Sequence, residues 1–425
     1  MIQKFFQKLK LIFQDNILKK RVLFVLGALV VVRILAAIPI PGVNTLELQN
    51  FFASNQFFNL LNIFSGGGLS ALSIIMLGVG PYITASIIMQ LSTIVSPKFK
   101  EMFHESGEVG RKKFAMYSRL IALPLATIQA VGFLVLLQQQ GVLRQFTAFE
   151  LVTNIIVVTA GTMLLMWIGE LISEFGIGNG VSIIIFAGIV SRIPGAISQI
   201  FFTYTPAMIP TYIMFAAVAV ITILAVVFIT EAERPIPITH TKQVRSGGEM
   251  MGGTSTYLPL RLNQAGVIPI IFAVSILTLP QLIGTLASTV HITWIQNISA
   301  KVIAFSSNQL YHGVMYFILV VLFTYFYTAV TFDPEATSHN LQRSGAFIPG
   351  VRPGETTERY ISAVLTRITL VGALFLGVIA VLPALIQSFS GITAISVGGT
   401  SLLIAVSVII DLIKKLDGQI SLREY

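Results

Sequence analysis

Runs of about 20 apolar residues recur from one end of this chain to the other, and each is long enough to cross a bilayer as a helix. Ten can be read, at 22–41, 73–94, 115–137, 151–172, 181–200, 210–230, 265–289, 313–332, 368–388 and 394–413. The runs are continuous rather than alternating, which argues against a membrane β-barrel. Only 11% of the 425 residues are charged, against roughly 25% in soluble domains, so there is too little polar side chain to face water. Mean hydropathy is +0.85. The fold class is therefore an all-α polytopic membrane protein with ten transmembrane helices. Cysteine is absent, which removes disulfides and thiol chemistry.

Lysine and arginine orient the spans. Of the 27 basic residues, all but Arg33, Arg144, Arg192 and Lys301 fall in the N-terminal tail, the C-terminal tail, or the loops after spans two, six and eight, counting Arg119 just inside span three with the loop before it. The positive-inside rule puts those segments, and both termini, in the cytoplasm. The net charge of +9 belongs to that face and suits anionic lipid or a large anionic partner. No cleavable signal precedes span one. Residues 1–21 instead place Ile2, Phe5, Phe6, Leu9, Ile12 and Phe13 at helical spacing around Lys4, Lys8 and Lys10, as an interfacial amphipathic helix does.

Ten spans divide into five and five, so the second half starts on the opposite side from the first, the arithmetic of an inverted repeat. The halves are 22–200 and 201–413, with loops 231–262 and 333–367 in the second and a tail at 414–425. Span two contains GVGPYI (78–83) and span seven GVIPII (266–271), both G-V-x-P-x-I. Pro81 and Pro269 each remove a backbone donor, and Gly80 and Gly266 loosen the same stretches, so a kink is expected in both helices. The reading preferred here is a pair of facing helices that can part. Ahead of span two, Leu60–Phe64 is an apolar stub too short to span, cut from the next run by Gly66, Gly67 and Gly68.

Chemistry inside the spans is sparse. Arg33 is the one basic side chain well within a run, expected to face the protein or snorkel outward. Glu170 and Glu174 sit toward one end of span four, where capping or loop anchoring is expected. The five histidines, at 104, 240, 291, 312 and 339, lie in loops or at span ends without metal-like spacing,. No phosphate loop, nucleophile elbow or catalytic constellation is present. A non-enzymatic pore without cofactor or metal fits, with its energy supplied from outside.

Nine ordered segments carry a family resemblance: IPIPGV (38–43), NIFSGGGLS (62–70), GPYITASIIMQL (80–91), GTMLLMWIGE (161–170), GIGNGVSIIIFAGIV (176–190), NQAGVIPIIFA (263–273), FYTAVTFDPEAT (326–337), SGAFIPGVRPG (344–354) and GGTSLLIAVSVIID (398–411). Together they resemble the SecY family of protein-conducting channels. That resemblance implies an hourglass pore closed by an aliphatic ring of Val79, Ile83, Ile185, Ile271 and Ile404, flanked by Val181 and Ile268. It implies a half-helix plug at 59–70, comprising Leu60, Leu61, Asn62, Ile63 and Phe64 with a hinge of Ser65, Gly66, Gly67 and Gly68. Spans two and seven, with Gly80, Pro81, Gly266 and Pro269, would form a lateral gate for signal peptides and nascent transmembrane segments.

The implied partners are SecE, SecG, and a SecA motor or ribosome at the cytoplasmic loops. Arg352 would be the leading contact there, with Arg343, Arg359, Arg245 and Lys242 around it. The loop tip SGGEMMGGTS (246–255) departs from the family, carrying glycines and Glu249 where relatives are more basic. The implied location is the plasma membrane. A secondary carrier of a small solute, or a membrane enzyme or insertase lacking a full pore, remain alternatives. Carriers need polar groups at the midplane and enzymes a catalytic set, whereas this chain offers aliphatics.

Overall fold

The computed structural model of the protein describes residues 15–42, 48, 65, 67–69, 71–104, 107–139, 141–191, 193–195, 198, 209–240, 244–246, 249–251, 255–288, 293–307, 309–390 and 398–421. Among these, a helix lies on each of the ten expected spans: α1 (Asn16–Ala36), α2 (Gly80–Val95), α4 (Gly107–Gln139), α5 (Ala148–Phe175), α6 (Gly180–Val190), α7 (Ile209–Glu231), α8 (Ile268–Ser288), α10 (Gln309–Thr331), α12 (Glu355–Ser390) and α13 (Gly398–Ser421). Three shorter helices lie between spans: α3 (Pro97–His104), α9 (Thr293–Ser307) and α11 (Pro334–Arg343). The expected amphipathic helix at 1–21 falls mostly outside the described residues.

Local chemistry starts several of these helices. Asp15 caps α1, its Oδ1 accepting from the N–H groups of Ile17 at 2.8 Å and Leu18 at 3.4 Å. Thr147 and Glu150 form a reciprocal capping box at α5, which satisfies two donors that the first turn leaves unpaired. Asp333 caps α11, where Pro334 occupies a position that needs no N–H,.

Five stretches are long and apolar enough to cross a membrane: Gly107–Gln139, Ala148–Phe175, Tyr212–Glu231, Leu310–Arg343 and Glu355–Leu382. Helices α2 and α6 are shorter, at 16 and 11 residues, or about 24 and 17 Å at 1.5 Å per residue. Both pack in the interior. Helix α8 lies against α2 and α4, and α13 lies against α6, α7 and α12.

Glycine makes the closest crossings. A Cβ at Gly180 of α6 would overlap the carbonyl oxygen of Gly169 on α5, and one at Gly161 would overlap the carbonyl of Ile74. Small residues let backbones approach where lipid offers no hydrophobic drive to pair helices. Two ion pairs tie helix ends together: Arg119 of α4 with Glu170 of α5 at 2.5 Å, and Lys414 of α13 with Glu231 of α7 at 2.9 Å. Glu170 thus joins two helices rather than capping its own.

Outside the helical layer, and not anticipated from an all-α reading, the loop after α7 folds as strands: β1 (Glu233–His240), β2 (Val244–Ser246), β3 (Glu249–Met251) and β4 (Ser255–Arg261). Strand β1 pairs antiparallel with β4, from Glu233–Arg261 to Thr239–Ser255. Its far end pairs with β5 (Ala346–Phe347), giving the order β4-β1-β5. Pro235 and Pro237 lie on β1 before β5 begins to pair, along a free edge where a missing N–H costs no ladder bond. Ile236 and Leu260 meet Ile348, Ile361 and Val364 in a small core of their own. The loops 231–262 and 333–367 are therefore one packed unit.

Replacing Gly180 with Ala should overpack the α5–α6 crossing and cost about 1–3 kcal/mol, read as a lower melting temperature in detergent. Gly27→Ala on α1, where a Cβ meets nothing within 4 Å, is the matched substitution expected to leave melting unchanged.

Candidate functional site

The largest buried cluster gathers residues from α1, α2, α5, α6, α7, α8, α10, α12 and α13. Val79 (0% exposed), Ile83 (7%), Ile185 (0%), Ile271 (5%) and Ile404 (1%) all belong to it. Val181 and Ile268 pack against it, half-buried. Side chains from four separate stretches of sequence, at the onset of α2 and on α6, α8 and α13, thus belong to one buried cluster. Beside this cluster, a cavity of about 40 Å³ lies between α2, α4 and α8, with Ile83, Thr84, Gln129, Val274 and Ser275 in its wall. Two hydroxyls at the seam bond back into their own helices, Thr84 to the Gly80 carbonyl at 3.0 Å and Ser275 to the Ile271 carbonyl at 2.9 Å.

Span two does not begin as a helix at Ser73. Residues 74–79 run as turns, and α2 starts only at Gly80. Irregular backbone at membrane depth is tolerated where protein buries it, and Leu72, Ser73, Ile75, Met76 and Val79 are all 1% exposed or less. The backbone finds partners across the chain. Ile40 N–H donates to the Leu72 carbonyl at 2.9 Å and Ile74 N–H to the Ile38 carbonyl at 3.0 Å. The IPIPG stretch is thus a short extended segment paired with 72–74. Leu72 at φ 43° and Gly78 at φ 60° break any helix there.

Ahead of this lies the glycine turn. Ser65 is buried, and its Oγ accepts from the Leu69 N–H at 3.0 Å. Gly67 has φ +89°, a conformation that disfavours a side chain, and a Cβ on Gly68 would press on Ser73 Oγ at 2.8 Å and the Ile75 carbonyl at 3.0 Å. Leu60, Leu61, Asn62, Ile63, Phe64 and Gly66 lie outside the described residues.

The twin G-V-x-P-x-I motifs occupy equivalent places, and the expected kinks are absent there. Gly78 at φ 60° and Gly266 at φ 62° each precede a helix that begins two residues later. Pro81 and Pro269 sit in the first turn, where a missing N–H is harmless. The motif isoleucine closes that turn in both, Ile83 N–H to the Val79 carbonyl at 3.0 Å and Ile271 N–H to the Val267 carbonyl at 3.3 Å. Sequence reasoning missed this because a Pro inside an apolar run reads equally as kink or onset.

In the extramembrane unit, Arg352 is exposed in a turn between Gly350 (φ 82°) and Gly354 (φ 100°), and its carbonyl accepts from Thr357 Oγ1 at 2.9 Å. Arg359 pairs with Glu355 at 2.6 Å, so part of its charge is answered within α12. Arg343 is exposed in the last turn of α11. Arg245 lies on β2 opposite Met250, and Lys242 lies outside the described residues.

The SecY family model matches residues 73–413. The chain belongs to the SecY family. The protein translocase subunit SecY of Mycobacterium bovis is 42% identical over 429 residues, covering 96% of both chains. Among solved structures, a SecY channel whose plug domain stabilises the closed state and maintains a membrane seal superposes with a TM-score of 0.66 at 20% identity, covering 94% of this chain and 92% of that one. Sec61 from a canine ribosome–channel complex gives 0.64 at 19% identity, with the same coverage.

Within this SecY fold, the left-handed glycine before α8 is the position most exposed to test. Gly266→Ala should cost about 1–2 kcal/mol through its positive φ, seen as a lower melting temperature. Gly80→Ala, with ordinary φ and open space, should melt like the parent.

Proposed function

We propose that the protein is a protein-conducting channel, which passes unfolded polypeptides across the membrane and releases transmembrane segments sideways into lipid. The observation that carries this reading is the convergence of Val79, Ile83, Ile185, Ile271 and Ile404 from both halves into one buried cluster. Branched aliphatics offer an ion no replacement for its hydration shell, so a narrow collar of them sheds water and blocks ions. They also lack charge and directional bonds, so they can close around a passing chain without selecting its sequence.

The gate in this reading is the seam between α2 and α8. It holds a cavity between the two helices, which supports a contact that can part. The plug is 59–70, turning on Ser65–Gly68. The two halves are 22–200 and 201–413, and the extramembrane unit carrying Arg352, Arg343, Arg359, Arg245 and Lys242 receives a SecA motor or a ribosome. SecE and SecG complete the complex in the plasma membrane, with both termini cytoplasmic. The protein catalyses no reaction of its own. A small-solute carrier has no support in the family or in a site built of aliphatics.

A stalled secretory chain should photo-crosslink to probes placed at Ile185 and Ile271. Failure at both positions, with the protein present at normal levels, would sink the channel reading. At the other end, Arg352→Glu should slow motor-driven export by roughly tenfold or more, as reversal of a contact charge does, while leaving melting unchanged. Normal export kinetics would remove Arg352 from the contact.

A further inference from the structure

We propose that Arg33 is a positioning residue that latches the resting channel, holding α1, α6 and the glycine turn at 67–69 in one arrangement that opening must break. The inference rests on the channel reading above. Arg33 lies in the last turn of α1, and its Nη2 donates to the Ala187 carbonyl at 2.5 Å. Ala187 is in the last turn of α6, two residues beyond the buried Ile185, and its carbonyl also accepts from the Ser191 N–H at 3.1 Å. On the other side, Arg33 Nη1 lies 3.7 Å from the point where a Cβ of Gly67 would stand.

Three elements therefore converge on one guanidinium. Two of them are helix C-termini, where the aligned carbonyl dipoles carry partial negative charge and favour a cation. A guanidinium presents five donors in a rigid fork and is less strongly hydrated than an ammonium. It can therefore serve an α6 carbonyl while lying against the turn, and it is the basic group best tolerated at that depth. Packing alone does not call for a charge here, since neighbours Val32 and Ala36 are ordinary buried aliphatics. The position joins the helix bearing Ile185 to the turn that leads out of the plug segment. Displacing that turn or shifting α6 takes the Ala187 carbonyl or the turn away from a half-buried charge, so the contact weights the resting arrangement.

The test compares the full-length parent, R33Q and R33K in planar bilayers and in proteoliposomes with the motor present. R33Q, at normal membrane abundance and with an unchanged protease pattern, should raise resting ion conductance roughly tenfold, a one-decade shift in the closed–open equilibrium. It should also pass a precursor whose signal segment is defective. R33K keeps the charge without the fork and should fall between the two. Parental conductance in well-folded R33Q overturns the latch. If R33Q does not accumulate, R33K decides: raised conductance supports the latch, and parental tightness overturns it. If the parent itself threads no chain, the channel reading fails first; if the parent threads and R33Q stays tight, the latch alone fails.

Discussion

Backbone at membrane depth has to find hydrogen-bond partners inside the protein, and residues 67–69 and 71–79 do so without forming a helix. Their bonds go to the Ser65 hydroxyl, to short turns, and to the extended segment at Ile38–Ile40. That pairing fixes where α1 ends relative to where α2 begins. It also requires Gly161 on α5, because a side chain there would collide with the Ile74 carbonyl. The second largest cluster, with Ile40, Leu69, Leu72, Met76 and Leu77 against α4, seals the same segment. Val79 then enters the central cluster as the residue capping α2, not as a mid-helix side chain.

The equivalent onset at Val267 gives the two halves a shared device. In each, a left-handed glycine turns the chain, a valine caps the helix, a proline fills the first turn, and an isoleucine one turn later faces the cluster. Both onsets feed the central cluster, whereas α7 turns much of its apolar surface outward, with Ile213, Ile221, Leu224 and Phe228 all exposed.

The ten spans were legible because hydropathy reports transfer to lipid, which acts residue by residue. The onset of α2 was not, because Ser73–Val79 is as apolar as the helix it precedes. What decides its conformation is pairing with residues more than thirty positions earlier, a long-range contact with no local signature. The sheet was hidden for a related reason. Two prolines in ERPIPITH interrupt a strand pattern, and only the partial pairing of β5 leaves them an edge to occupy. For the central cluster, an isoleucine in a membrane span carries no mark distinguishing lipid-facing from pore-facing. The five positions were legible through family resemblance alone, and the folded chain places all five in one large buried cluster.

In the proposed channel, an aliphatic collar and a half-buried arginine make complementary demands. The collar resists ions without preferring any state of the helices, since its dispersion contacts re-form in many arrangements. Closure of that kind needs something directional to hold the helices in register. Hydrogen bonds provide it, because they weaken steeply with angle, and Arg33 places such a bond on the helix that carries Ile185. The proposed seal and the directional tie sit two residues apart on α6, so a movement of that helix bears on both.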